Sequence, residues 1–442
     1  MNTHIKESTL NRNQVANLLI LVAVVITIVG FASDFYNTIS YPGSDLRNRV
    51  VGARLMLEGI DPYLFKWQVG LSERFFDPLD DPTELVSKLS VPPTVLTLHA
   101  AIANLPYIQQ KVIWLLCQWA ALVGTIGIFL RNNQSKQKQM LMLSISFCIV
   151  NSLFWRFHVS SGQIYILYVF VLAISWFFLQ RRFKYKAIIS GFLAGVATSL
   201  RPSFILFFIP FAVRRQFTFL LSGCVGFISS VLISYWVVGG FIWKRYILTI
   251  LQMTGLLDLA TYLSPAESAL PDPNIVYPSV VEGFDWSISY PLERYFADTS
   301  FYLPLNVLRV PNEREILIVG LLTTIVYLSV QISKFLPREK EMNYIFLFGV
   351  LMCLLGDFFI PIPRYPYYDV QMILPLLIII CLADVHYLVS RRLGIALAVG
   401  LLLGLIGFLV IPRALFFGGF LIALYVSVMP ILLVKRERRM KV

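Results

Sequence analysis

Residues 181–215 read RRFKYKAIISGFLAGVATSLRPSFILFFIPFAVRR, and how this stretch divides decides the fold. Two apolar runs, 187–200 and 203–213, flank Arg201-Pro202. Arg181, Arg182, Lys184 and Lys186 precede them, and Arg214-Arg215 follow. Proline disfavours helical geometry in the residue before it, so the chain either kinks or turns back at Arg201. Loops rich in lysine and arginine stay on the cytoplasmic side of a membrane. With basic groups at both ends, the chain must cross and return. The stretch is read as a hairpin bent at Arg201-Pro202.

The same pattern extends over the whole chain. Of 442 residues, 57% are hydrophobic and 14% charged, against roughly 25% charged in soluble domains. A spanning helix needs about 20 apolar residues. The expected spans are 15–36, 111–130, 140–157, 163–180, 187–200, 203–213, 217–238, 315–333, 343–360, 369–389, 393–411 and 414–434. This is an all-α polytopic membrane protein of about twelve transmembrane helices, forming a single domain over residues 1–442. The first run is read as an uncleaved helix, because Ala32-Ser33 is a poor cleavage site. The formal charge of +12 sits between apolar runs rather than on a nucleic-acid-binding face, so membrane topology explains it and no nucleic-acid partner is implied.

Charge also orients the chain. Arg131/Lys136/Lys138, Lys334/Arg338/Lys340, Arg391-Arg392 and the tail Lys435-Arg436-Glu437-Arg438-Arg439 belong inside, with both termini. The loops alternate correctly only if 94–105, which follows Pro92-Pro93 and stops before Pro106, does not span. It is expected to be a re-entrant or juxtamembrane helix on the outer face. Segments 37–92 and 239–314 then lie outside, in what is expected to be a bacterial plasma membrane. The first holds eight acids against six bases, unlike the basic cytoplasmic loops.

Chemistry is expected in the first outer segment. Pro42-Gly43 ends one element, Ser44 is a good N-cap and Asp45 suits the first turn of the next. Leu46, Val50, Ala53 and Leu57 share one helical face, and Arg47, Arg54 and Glu58 another. That pattern predicts a helix lying in the membrane interface and ending at Gly59, before Asp61-Pro62-Tyr63. A carboxylate at this seam suits a general base for a substrate hydroxyl, although Asp45 also complements the helix dipole. Gln163, Arg201 and Arg364 fall at comparable depth, as does His158. Arginines converging on one cavity suit a phosphate, and Asp369 is the obvious structural partner of Arg364. The four histidines show no ligand spacing. Asp77 and Asp80-Asp81-Pro82 read as a solvated acidic turn, so no metal is expected. The five cysteines lie in apolar runs and form no disulfide framework.

The order of these motifs resembles glycosyltransferase family 87, membrane transferases of the GT-C superfamily that include polyprenol-phosphate-mannose-dependent mannosyltransferases. The resemblance rests on Asp45 after the first helix, Gly59-Ile60-Asp61-Pro62-Tyr63, Pro92-Pro93, Trp114, Gly162-Gln163-Ile164-Tyr165, Gly191-Phe192-Leu193-Ala194-Gly195 leading into Arg201-Pro202, and Tyr368-Asp369-Val370 before Leu374-Pro375. It implies an enzyme that moves a hexose such as mannose from a polyprenyl-phosphate donor to a lipid or glycan acceptor at the outer face, with inversion and no cofactor. It gives Asp45 the role of base, Arg201 and Arg364 that of phosphate ligands, and Gln163, His158, Asp61 and Tyr63 places around the substrates. The family often has lysine where this chain has Arg201. The competing reading is a transporter or lipid flippase, but paired repeats of the kind found in transporters are not visible.

Overall fold

The computed structural model describes residues 4–439 except 266, 268–269, 272–275, 289–298, 302–304, 306–307, 336–340, 361–363, 390 and 411–412. Arg338 and Lys340, expected above on the cytoplasmic side, lie outside the described residues.

The chain is a helical bundle capped by two interlocked loop segments. The helices in order are α1 (His4–Ser40), α2 (Ser44–Leu57), α3 (Pro93–Ala100), α4 (Tyr107–Arg131), α5 (Lys136–Val150), α6 (Leu153–Ser160), α7 (Tyr165–Leu179), α8 (Lys186–Leu200), α9 (Ile209–Val213) and α10 (Phe217–Met253). Helices Glu313–Phe335, Glu341–Phe359, Ile373–Leu382, Val385–Val389, Arg392–Val410 and Ala414–Arg439 follow. The described strands are a two-stranded hairpin, β1 (Val280–Val281) and β2 (Phe284–Asp285), paired antiparallel.

Among the described residues six helices are long and apolar enough to cross a membrane, and seven if the bent pair α5–α6 counts as one. The remaining five expected spans are apolar helices of fewer residues, several of them broken. The breaks have local causes. Pro202 turns the next segment into a 3-10 helix, Pro202–Phe208, before α9. The expected span 369–389 divides into the 3-10 segment Pro366–Met372 and two short helices. Asn151-Ser152 interrupts the span expected over 140–157, bending α5 against α6 by 55°. In the other direction, α10 runs on well past the expected boundary at 238, with its kink at Gly239 (φ 78°).

Lipid-facing and protein-facing surfaces separate as a membrane requires. On α1, Gly30, Asp34 and Thr38 are buried at four-residue spacing, while Leu18, Leu21, Val25, Val29 and Tyr36 are exposed. Helix Glu341–Phe359 is instead enclosed along most of its length. Helices α8 and α10 approach closely enough that a Cβ on Gly191, Gly195 or Gly226 would collide with a backbone carbonyl of the other helix. Such small-residue seams let membrane helices pack by van der Waals contact. Asp34 fastens α1 to the bundle: Arg156 binds its Oδ1, and Trp119 and Trp155 donate their indole N–H groups to Oδ2 at 3.2 and 2.9 Å. An intramembrane carboxylate is a functional candidate by default, but this one is fully occupied as a tether.

Helix α2 corrects one expectation. It does not lie open in the interface, because residues Leu46 to Met56 are buried almost without interruption. Its arginines are satisfied by loop groups rather than by lipid headgroups. Arg47 donates to the carbonyls of Phe76 (2.9 Å) and Glu73 (3.0 Å), and Arg54 to those of Ala103 and Arg74 (both 2.9 Å). Glu282, at the tip of the β-hairpin, pairs with both Arg47 (3.2 Å) and Arg54. The two long polar segments therefore meet over α2, on one side of the bundle. The run 94–105 forms α3 over Pro93–Ala100, packed against α2 and α10.

Candidate active site

Gly43, rather than Ser44, is the N-cap of α2. It adopts φ 79°, a left-handed conformation that glycine takes without steric cost. Helix α4 bolts the turn in place: Tyr107 Oη donates within 2.8 Å of the Pro42 carbonyl, and Lys111 Nζ reaches the Tyr41 carbonyl. Asp45 follows in the first helical turn, half-buried.

The turn between α6 and α7 is pressed against this point. Leu46 N–H donates to the Ser161 carbonyl at 3.0 Å. Gly162, at φ 74°, sits so close that a Cβ there would collide with Leu46 Cβ. Trp114 donates to the Gly162 carbonyl at 2.7 Å, and Gln118 to that of Gln163 at 2.6 Å. Arg49, one helical turn beyond Asp45, donates to the Gly162 carbonyl and to Gln163 Oε1 (3.4 Å). The quoted motif Gly162-Gln163 and the lone Trp114 thus have one job, to hold the α6–α7 turn against the start of α2.

Asp45 faces Arg49, Gln163 and Ser161. Burial raises its carboxyl above the usual carboxylate range, and Arg49, Gln163 and Ser161 pull partly the other way. Among the described residues it has no ion pair within 4 Å, which sets it apart from Asp34, Asp357 and Asp369.

Tyr367 connects Asp45 to the expected cationic groups. It lies within electrostatic reach of Asp45 and stacks on Tyr165 (5.8 Å) and Tyr368 (5.3 Å). Arg201 sits over the rings of Tyr165 (4.6 Å) and Tyr368 (5.0 Å). Its backbone is extended at φ −142°, as the residue before proline must be. Arg364 lies over Phe358 (4.0 Å) and Tyr368 (5.4 Å). Four elements distant in sequence therefore converge: the start of α2, the α6–α7 turn, the end of α8, and the segment around Pro366–Met372.

Both arginines have acidic partners. Arg364 Nη2 binds Asp369 Oδ1 at 2.6 Å, as expected, and Nη1 binds Thr299 Oγ1 at 2.9 Å. Arg201 Nη2 binds Asp357 Oδ1 at 2.6 Å, with Gln371 donating to the other Asp357 oxygen at 3.3 Å. Asp357 was not legible as a partner, because 156 residues separate it from Arg201 and it ends a run that otherwise reads as a span. Arg201 Nη1 is buried and makes no hydrogen bond among the described residues.

The remaining expected residues divide. Gln163 belongs to the cluster. His158 is buried on its edge, stacked on Trp155 (5.5 Å), and its Nε2 accepts the Ile166 N–H at 3.2 Å, so it serves the α6–α7 turn. Asp61 and Tyr63 are not brought to Asp45. Asp61 pairs with Arg245 on α10 (3.2 Å), and Tyr63 donates to the Val91 carbonyl (2.9 Å) and packs on Tyr246. They anchor the first loop to α10. Arg49, Tyr165, Tyr367 and Tyr368 join the cluster unexpectedly. Only the i, i+4 spacing of Asp45 and Arg49 was a usable signal. Among the described residues no three His, Cys, Asp or Glu side chains gather as metal ligands would. Asp80 binds Lys66 at 2.9 Å and Asp81 caps Thr83.

Residues 91–270 match the model of glycosyltransferase family 87. The match covers Trp114, Gly162-Gln163 and Arg201-Pro202, and it indicates a glycosyltransferase. The family resemblance read from the motifs holds over that segment. No curated protein matches the chain.

Proposed function

We propose that the protein is an inverting glycosyltransferase that takes a hexosyl group from a polyprenyl-phosphate donor and passes it to a lipid or glycan acceptor at the outer membrane face, with Asp45 as general base. The arrangement that supports this reading is the half-buried Asp45 carboxylate, with no ion pair within 4 Å among the described residues, beside a cluster holding Arg201 and Arg364. The acceptor oxygen attacks the anomeric carbon as its proton passes to Asp45. The bond from that carbon to the phosphate oxygen breaks, and polyprenyl phosphate departs with the electron pair.

Arg201 supports the leaving group. Its buried Nη1 has a hydrogen-bonding capacity that no described residue uses, and an unpaired donor in a dry site gains much from a phosphate oxygen. Asp357 and Asp369 hold the two guanidinium groups in place and offset their charge, so the site selects a bound phosphate without trapping it. Arg49 beside Asp45 favours the ionised base and so works against the burial that raises its carboxyl.

The test is turnover in reconstituted vesicles with radiolabelled polyprenyl-phosphate sugars and extracted membrane lipids. Removing a general base costs about 10²–10⁴-fold in rate, so Asp45→Asn should lose that much while folding normally. Wild-type turnover by Asp45→Asn removes Asp45 from the mechanism.

A further inference from the structure

The face of α2 that begins at Asp45 continues beyond it. Asp45, Asn48, Gly52 and Leu55 recur at three- and four-residue spacing and share one side of the helix. Asn48, Gly52 and Leu55 line a cleft between α2 and the first long loop. Its far wall is aromatic: Trp67, Phe76 and Tyr277 pack as a triangle of rings, Phe76 lying 5.2 Å from each of the other two, which stand 6.1 Å from one another. Gly52 lets Leu89 and Leu96 pack directly on the α2 backbone at the edge of the cleft, since a Cβ there would stand 2.7 Å from Leu89 Cδ2 and 3.1 Å from Leu96 Cδ2.

The polar groups of the cleft lie together. Asn48 Nδ2 donates to Asp77 Oδ2 at 2.6 Å, and the Leu79 N–H donates to Asp77 Oδ1 at 3.0 Å. Among the described residues Asp77 has no ion pair within 4 Å, whereas Asp80 at the rim is committed to Lys66. Rings facing a carboxylate and an amide suit one class of ligand. A pyranose presents apolar C–H faces to aromatic rings and hydroxyl hydrogens to acceptors such as Asp77 and the Asn48 carbonyl. A lipid tail would desolvate the Asp77 carboxylate and offer it no hydrogen-bond donor. An anion would be repelled by Asp77 and Asp80, and a divalent cation lacks a cluster of ligands among the described residues.

We propose that this cleft is a saccharide subsite that holds the sugar or polyol headgroup of the acceptor, delivering a neighbouring hydroxyl to Asp45 one helical turn away. The cleft is narrow as its side chains stand. Tyr277 is part-exposed and touches Trp67 and Phe76 by ring contacts, so admitting a ring requires its side chain to swing aside. Naming the ligand as the acceptor rests on the transferase reading, but saccharide binding does not.

The experiment titrates the purified full-length protein, in phosphatidylcholine nanodiscs, with methyl α-glucoside, methyl α-mannoside and methyl α-galactoside, followed by saturation-transfer NMR. At least one glycoside should bind saturably with a Kd of about 1 mM, and about tenfold more weakly to Trp67→Ala and Asp77→Ala. Tyr277→Ala, at the part-exposed wall, gives the same answer if either of those variants misfolds. The cleft is overturned if none of the three glycosides binds saturably, or if binding is equal in wild type and folded cleft variants. The two readings fail separately. Saccharide binding with full turnover by Asp45→Asn removes the base and keeps the cleft, and the reverse result removes the cleft alone.

Discussion

At the residue scale, Asp45 combines burial with a nearby cation, and the sign of each effect is testable. Its carboxyl is raised above the ordinary value, chiefly by burial. A base must be deprotonated to act, so activity falls as pH drops through that raised value. A pH profile of kcat/KM should show an acid limb at higher pH than a free aspartate would give. Replacing Arg49 with Gln should move the limb higher still. The same burial costs stability. Where the folded pKa is raised, the cost is absent below the unfolded value and complete above the folded one. Asp45→Asn should therefore melt higher than wild type at pH 7–8, with no gain below the ordinary carboxylate range. Asp77 follows the same rule: burial lifts it to about 6, against the pull of Asn48, the Leu79 N–H and Arg47 and with a push from Asp80. Asp77→Asn should stabilise the protein above that pH and not at acid pH, measured by thermal unfolding in detergent. Arg201 behaves differently. Removing one partner of a buried ion pair costs about 3–5 kcal/mol, so Arg201→Ala should destabilise the fold as well as stop turnover. The double variant Arg201→Met/Asp357→Leu should recover stability without activity.

At the element scale, turns and seams matter more than helix propensity. Gly162 carries the α6–α7 turn in a left-handed conformation directly against Leu46. Gly162→Ala adds about 1–2 kcal/mol of backbone strain and pushes Gln163 off Asp45. It should lower kcat and thermal stability together, whereas Gly59→Ala, with open space around its Cβ position, should lower only stability. The α8–α10 seam is built on backbone approach at Gly195. Gly195→Leu should force the helices apart at a cost of roughly 1–3 kcal/mol, the usual penalty for overpacking, read as a lower melting temperature. The positions that break helices were visible as proline and glycine in the sequence. Their consequences were not, because whether Pro202 bends a helix, ends it or starts a 3-10 segment depends on what it packs against.

At the scale of the whole molecule, the two long polar segments lock over α2 through Glu282, which holds Arg47 and Arg54. Glu282→Gln leaves two buried guanidinium groups short of charge compensation, and should cost roughly 1–3 kcal/mol and speed proteolysis of the first long loop, residues 58–92. The orientation inferred from basic loops is checked in a cysteine-free background. Cysteines at positions 73 and 287, both exposed, should react with an impermeant maleimide from outside, and a cysteine at 137 only after permeabilisation. Labelling of 137 in intact cells would invert the topology and put Asp45 on the wrong side for a lipid-linked donor.

The sequence by itself determined that the chain is a helical membrane protein and where its apolar segments begin and end to within a turn in most cases. Hydrophobic length and charge are local, additive properties, so they can be read without knowing the fold. It also singled out Asp45, Gln163, Arg201 and Arg364, because ionisable or polar groups stand out against apolar neighbours. Tertiary structure alone decided that these four share one cluster, that Asp357 rather than any near neighbour compensates Arg201, and that Asp61 and Tyr63 serve α10 instead. It also decided that α2 is enclosed, since an amphipathic pattern with three arginines reads equally as a lipid interface or as a helix whose cations are met by loop carbonyls. Contacts between residues more than a hundred positions apart leave no periodicity in the chain, and only packing brings them together.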